Sequence, residues 1–303
     1  MIGRFEVRGA GGVRLVAWEF AAADPGVREG GRAAGDDRPA VLLLHGLLGR
    51  ASHWAPVARR LSARFRVLAL DQRGHGRSDK PEGPYDPEAY AADAVAAVEQ
   101  LGLGPAVLVG HAMGALTGWQ CAVRRPDLAA ALVICDMRAS AVGESGRREW
   151  EDWLAGWPVP FASLGDARRW FAAQDPWAEG PPEARAVRGD FFAEVMEERE
   201  DGWRPVYSPR HLLASRDPWI RDAHWDELAR VGCPALVVRG PAGELGRAEA
   251  QEMVRVLPRG HYAEIADAGH LLPWDRPEAF CAAVEDFLDR VLPAPAQAAR
   301  REP

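Results

Sequence analysis

The chain has 303 residues, 48% of them hydrophobic and 27% charged, the balance of a globular protein large enough to bury a substantial core. Its 37 Lys and Arg against 44 Asp and Glu leave a net charge of −7, and no long basic run offsets it, which argues against a nucleic-acid or anionic-membrane partner. The opening MIGRFEVRGAGG lacks an apolar signal-peptide core, and the longest apolar run, 128–135, is too short to span a bilayer, so the expectation is a soluble cytoplasmic protein.

In chain order, two runs of mixed polarity, 5–8 and 14–19, flank Gly9-Ala10-Gly11-Gly12 and suit a hairpin. Residues 24–38, rich in Gly, Ala and charge, read as a surface loop. The run AVLLL at 40–44 is apolar without alternation, as a strand covered on both faces should be, and RVLAL at 66–70 and AVLV at 106–109 repeat that character. Helices fit at 54–62, 87–101 and 113–124, and a further strand at 130–135. The rhythm then breaks, with no convincing strand from 138 to 215. It resumes with strands at 235–238 and 262–265 and helices at 247–256 and 277–291, and the tail 293–303 reads as disordered. Strands alternating with helices make this an α/β chain of βαβ units. Cys121, Cys135, Cys233 and Cys281 are scattered and mostly flanked by apolar residues, which suits buried free thiols and neither a disulfide framework nor zinc spacing.

Three landmarks carry chemistry. LLHGLLG at 43–49 ends an apolar strand with H-G-x-x-G, where glycine lets the backbone turn sharply and point N–H groups outward, as an oxyanion hole requires. DQRGHGRS at 71–78 follows the next buried strand. Then comes Val109-Gly110-His111-Ala112-Met113-Gly114, between the strand AVLV and the helix MGALTGWQCAV. It has the frame of a nucleophile elbow, G-x-S-x-G, with alanine where the serine stands. In an elbow a strand runs straight into a helix, so the residue at the turn takes a strained conformation with its side chain exposed. Gly110 and Gly114 keep strand and helix clear of that turn, and the partial positive end of the helix favours an oxyanion.

With these landmarks in order, the chain resembles α/β-hydrolase-fold proteins over nearly its whole length, the 24–38 loop and the tail excepted. The resemblance implies an α/β-hydrolase fold: a mostly parallel eight-stranded sheet flanked by helices, with a core of 1–137 and 216–292 and a helical lid at 138–215 after the sixth strand. It also implies the N–H groups of Leu47 and Met113 as the oxyanion hole and Ala112 as the nucleophile position. In the hydrolases it resembles, the general base sits in a G-H after the last strand, which here is His270 in IADAGH. The acid has two placements in this fold. After the seventh strand, Gly240-Pro241-Ala242-Gly243 offers no carboxylate at the usual step, and Glu244 is one position late. The end of the sixth strand carries Asp136, a placement similar to that of some lactonase-type hydrolases, and Asp136 is preferred. DQRGHGRS is typical of the family and structural: Asp71 and Arg73 hold a turn, and neither His75 nor His111 is expected to react.

The insert holds Trp150, Trp153, Trp157, Trp170, Trp177 and Trp203, six of the chain's twelve tryptophans, together with Phe191-Phe192. Most of these rings are expected to build the insert's own core, with Trp177 and Trp203 facing a substrate and Trp274 near His270 joining them. The eight histidines show no metal-ligand spacing, and no G-x-G-x-x-G follows a strand, so neither metal nor dinucleotide cofactor is expected. The expected partner is a small hydrophobic molecule, and a second copy of the chain is the only protein partner considered.

Alanine at the elbow leaves three readings. The first is an ester or lactone hydrolase lacking its serine, which binds a bulky apolar or aromatic substrate and barely turns it over. The second is a cofactor-independent oxygenase or lyase using the His270/Asp136 pair as a base. The third is a non-catalytic ligand-binding protein.

Overall fold

The computed structural model describes residues 1–21, 38–176 and 180–292. The tail expected at 293–303, and the loop expected at 24–38 except its last residue, lie outside the described residues, as does Trp177.

Strands β1 (Gly3–Arg8) and β2 (Arg14–Phe20) form the expected hairpin, closed by a turn in which Gly11 has φ 68°. They are followed by β3 (Ala40–Leu44), β4 (Arg66–Asp71), β5 (Ala106–His111) and β6 (Ala129–Cys135), then by β7 (Met196–Arg199) and β8 (Gly202–Pro205), and finally by β9 (Ala235–Arg239) and β10 (Gly260–Glu264). Eight of them make one sheet in the order β1-β2-β4-β3-β5-β6-β9-β10, and β7 and β8 pair separately. Every pairing from β4 to β10 is parallel, whereas β2 runs antiparallel to both of its neighbours.

Parallel neighbours need crossovers, and helices supply them. These are α1 (Ala55–Leu61), α2 (Pro87–Gln100) and α3 (Met113–Arg124) in the first half and α8 (Trp225–Leu228) and α9 (Arg247–Val256) in the second, while α10 (Leu272–Asp275) and α11 (Pro277–Val291) follow the last strand. Between β6 and β9 lie α4 (Glu144–Ala155), α5 (Leu164–Ala173), α6 (Pro182–Glu194) and α7 (Pro209–Arg221). Among the described residues no helix is long and apolar enough to cross a membrane.

The unbroken apolar runs follow from burial on both faces. Leu42 and Leu44 of β3 join Leu68, Leu70, Leu108, Leu132 and Ile134 in one core under α2 and α3. Val41 and Leu43 join Val67, Val109, Val133, Leu236 and Val238 in a second core with Trp54, Phe280 and Phe287. Cys121, Cys135 and Cys281 are buried free thiols, and Cys233 is half-buried.

The stretch expected to hold no strand contains the β7–β8 hairpin, with sequences MEER and GWRP. Neither alternates apolar with polar residues, so the pairing leaves no periodic trace. Helix α7 continues past residue 215, the expected end of the insert, to Arg221. Inside the insert, Trp157 packs edge-on to Phe171 at 4.8 Å, and Phe171 stacks on Phe192 at 4.4 Å, so several of its rings do form a local core.

Candidate active site

The chain passes from β3 to β4 on one side and then to β5 on the other, so the strand order reverses between β3 and β5. Crevices outside the carboxyl ends of parallel strands at such a point are where α/β proteins place their ligands. Ala112 lies there, at the end of β5, with φ 46° and ψ −121°. Its N–H donates to the carbonyl of Cys135 at 2.9 Å, and its own carbonyl accepts from Ala115 N–H at 2.8 Å. The turn is therefore fastened to β6 on one side and to α3 on the other. Neither glycine of the frame has room for a side chain. A Cβ on Gly110 would overlap the backbone of Gly114 and Ala115, and one on Gly114 would overlap the carbonyl of Leu44.

Gly46 brings the loop after β3 against this turn: a Cβ there would lie 2.8 Å from His111 Nδ1 and 3.3 Å from the Ala112 methyl. His45 fixes the loop from beneath. Its Nε2 accepts from Gln72 N–H at 3.0 Å, so its Nδ1–H donates to the Gly46 carbonyl at 2.8 Å. Burial pushes its pKa down to about 4, keeping it neutral. Leu47, the next residue, lines the cavity above Ala112. Met113 opens α3, where the first N–H groups have no intrahelical carbonyl to meet.

His270 and Asp136 are brought together. The Nδ1–H of His270 donates to Asp136 Oδ2 at 2.8 Å. Asp136 is buried at φ 46°, and its carboxylate also accepts the backbone N–H groups of Glu244 at 2.8 Å and Leu245 at 3.1 Å. Three donors on one carboxylate fix its orientation and with it that of the imidazole. Glu244 sits on the opposite edge of the ring, its Oε1 3.9 Å from His270 Nε2. The two candidate acids thus flank the histidine, and only Asp136 makes a hydrogen bond to it. Burial lowers the pKa of His270, but the charge of Glu244 and the hydrogen bond and charge of Asp136 outweigh it and push it up to about 9.

His111 donates from Nε2 to the carbonyl of His270 at 2.8 Å, tying the elbow to the histidine loop. His75 is buried, hydrogen-bonded to the Arg73 carbonyl at 2.9 Å, and pushed down to about 3 by burial. Asp71 accepts from Ala51 N–H, Trp18 Nε1–H and Arg77 N–H, and Arg73 forms a fully buried two-pronged pair with Asp93 at 2.7 Å. The DQRGHGRS stretch is a structural clasp.

Ala112, His270, Glu244, Leu47 and Leu48 line a cavity holding about 590 Å³ of empty space, partly open to solvent. Its other walls are Trp150 and Trp153 of α4, Arg188, Phe191 and Phe192 of α6, and Arg216 and Trp219 of α7. A larger groove shares Arg188, His270 and Leu271 with it and opens along α6 and the loop before α10. Trp274 and Trp203 are placed elsewhere. Trp274 donates to the His53 carbonyl and packs edge-on to His111 at 4.9 Å, behind the elbow. Trp203 pairs with Phe161 through both backbone N–H groups, at 2.8 and 2.9 Å. Of the lining rings, Trp150, Trp153, Phe191 and Phe192 were expected mostly in the insert's own core, and Trp219 and both arginines carried no expectation, although Trp150 and Trp153, and Arg216 and Trp219, stand three apart on single helices and so share a face. Among the described residues no group of three or more His, Cys, Asp or Glu could hold a metal ion.

The elbow, the relay beside it and the doubly covered sheet define a class of protein, and the family model for the alpha/beta hydrolase family matches residues 41–283. The chain belongs to the α/β-hydrolase family. It is 30% identical over 259 residues to the 2-(acetamidomethylene)succinate hydrolase of Mesorhizobium japonicum, covering 83% of this chain and 88% of that protein. It is 32% identical over 269 residues to the N-formylmaleamate deformylase of Pseudomonas putida, covering 88% and 95%. The crystal structure of the enol-lactonase from Burkholderia xenovorans superposes with a TM-score of 0.71 at 26% identity, covering 95% of this chain and all of that one.

Proposed function

We propose that this chain is an acyl hydrolase of the ester or lactone type whose nucleophile position holds Ala112, so that as it stands it binds substrate and turns it over only marginally. The observation that carries the reading is the strained φ of Ala112 beside an intact Asp136–His270 hydrogen bond. Neither feature serves a methyl group. With a hydroxyl at position 112, its oxygen would attack the acyl carbon and its proton would pass to His270 Nε2. The N–H groups of Leu47 and Met113 would meet the oxyanion. The leaving group would then take the proton from His270, and water would release the acyl group by the same relay. Asp136 would hold the imidazole and stabilise its cation, as its three hydrogen bonds prepare it to do.

Residues 138–215, together with the rest of α7, would be the lid over this site, since α4, α6 and α7 supply its aromatic walls. Those walls support a substrate with a bulky apolar or aromatic body. That the named relatives act on an acetamidomethylene succinate, an N-formylmaleamate and an enol-lactone supports acyl transfer in general. Base chemistry without a nucleophile, as in a cofactor-independent oxygenase or lyase, is less well supported. The relatives above are named as a hydrolase, a deformylase and an enol-lactonase, which weighs toward acyl transfer.

The test is hydrolysis of a panel of aryl esters and lactones at pH 9 by the parent chain and by Ala112→Ser. The variant is expected to gain at least a hundredfold in kcat/KM on its preferred substrates, because removal of a triad nucleophile leaves only about 10³–10⁴-fold acceleration over water. Equal rates across the whole panel would refute the hydrolase reading. Strong parent activity on any substrate, lost in His270→Ala, would transfer the site to base chemistry.

A further inference from the structure

Among the described residues, one cation of the cavity forms no ion pair. Two arginines line it, and they differ in how they are satisfied. Arg188 is committed: its Nε–H donates to the buried carboxylate of Asp175 at 2.8 Å, and Asp175 also accepts from Trp153 Nε1–H at 2.7 Å. Arg216 has no such partner. Its side chain lies between Trp150 and Trp219, with its guanidinium carbon 4.6 and 5.7 Å from their ring centres, and one nitrogen, Nη1, donates to the Gly146 carbonyl at 3.0 Å. Its Nε is buried with no hydrogen-bond partner, and among the described residues no carboxylate forms an ion pair with the group. The neighbouring Asp217 turns instead toward Arg147 at 3.4 Å and Arg221 at 3.7 Å.

Arg216 is only 7% exposed. A buried guanidinium left without a counter-charge is costly, and the flanking indole faces offset only part of that cost. Burial pulls its pKa down to about 10 against the pull of Glu244, Asp217 and Glu149, the signature of a cation short of a partner. Such an arrangement is stable enough to persist yet leaves a large gain for an anion that enters. Of the two other charged side chains facing the same space, His270 already has Asp136. Glu244, 56% exposed, acts through solvent and is opposed by the His270 cation.

We propose that Arg216 is a specificity-determining residue that receives a free carboxylate on the substrate, so that the molecule taken by this cavity is an acid with an apolar or aromatic body and an acyl group to be cleaved. The carboxylate meets the guanidinium at Nη2, which has no described acceptor, whereas Nε is shut off by the packing around it. A charge-assisted hydrogen bond there is strong because Trp150 and Trp219 shut out the water that would otherwise compete. The inference rests on the reading of this cavity as the substrate site and extends it to the substrate's charge.

Two esters of matched size separate the ideas: mono-para-nitrophenyl glutarate, which carries a free carboxylate, and para-nitrophenyl pentanoate, which does not. In Ala112→Ser the charged ester is expected to have a kcat/KM tenfold or more above the neutral one, chiefly through KM, as a charge-assisted hydrogen bond gives about tenfold to a hundredfold. Adding Arg216→Met, which keeps the chain length and loses the charge, should bring the ratio near one, whereas Arg216→Lys should keep most of it. If both esters are cleaved equally, or the preference survives Arg216→Met, the carboxylate proposal is overturned and the hydrolase reading stands. If neither ester is cleaved by Ala112→Ser, the hydrolase reading is what suffers, and binding to the parent chain decides the rest. Tryptophan quenching by the glutarate monoester but not by the pentanoate ester, lost in Arg216→Met, supports the carboxylate site, and equal quenching refutes it.

Discussion

An L-residue held at φ 46° and ψ −121° stores about 1–3 kcal/mol of backbone strain, which persists only where the surroundings impose it. Ala112 is held so by its bond to Cys135 and by the crowding of Gly110 and Gly114, whatever side chain it carries. A serine there inherits the geometry without rebuilding it, and Ala112→Ser is expected to fold with the parent's melting temperature to within a few degrees. The histidine opposite is less neutral than a general base should be. A base must be unprotonated to accept a proton, so in Ala112→Ser the pH profile of kcat/KM should rise through pH 7 and level only above about 9. Because the charge of Glu244 is one cause of that high value, Glu244→Gln should move the ascending limb to lower pH and raise the rate at pH 7. A limb that stays in place would mean that Glu244 does not act on His270.

At the scale of elements, the elbow works because β5 and α3 approach closely. Gly114→Ala would set a methyl into the carbonyl of Leu44 in β3, and backbone cannot move aside there as a side chain can. A loss of about 3 kcal/mol or more is expected, seen as a large fall in melting temperature. The strands were legible in the sequence because burial on both faces writes them as unbroken Val, Leu and Ala, and Ala112 and Asp136 lie directly after the ends of two of them. His270 was legible from its G-H after the last strand. Which tryptophans face the cavity was not. Trp150 and Trp153 of α4 and Trp157, two residues beyond its end, stand three to four apart in sequence, and only the packing of Phe171 and Phe192 shows that Trp157 turns into the insert while Trp150 and Trp153 line the cavity. Arg216 carried no expectation: it lies one residue past the expected end of the insert, within α7, which runs on through Pro218 to Arg221. The charged hairpin β7–β8 carries no pattern at all.

Across the molecule, the site depends on fastenings far from Ala112. The Arg73–Asp93 pair ties the end of β4 to α2, and through Ala10 and Pro84 it holds the N-terminal hairpin and the loop before α2. Both side chains are essentially inaccessible to water, so truncating one strands the other's charge. Arg73→Ala is expected to cost about 3–5 kcal/mol in chemical denaturation. A cost below about 1 kcal/mol would show that the clasp is dispensable.

All of these parts converge on one claim, that the fold is set to activate an oxygen at position 112. That claim can be measured without knowing the substrate. A fluorophosphonate reacts with an activated hydroxyl, whose oxygen bonds to phosphorus as fluoride leaves and whose proton passes to the base. Labelling followed by intact-mass measurement at pH 9 should show one phosphonyl group per chain on Ala112→Ser, located at position 112, with none on the parent. Adding His270→Ala should abolish it. An unlabelled Ala112→Ser, or labelling undiminished by His270→Ala, would contradict the claim.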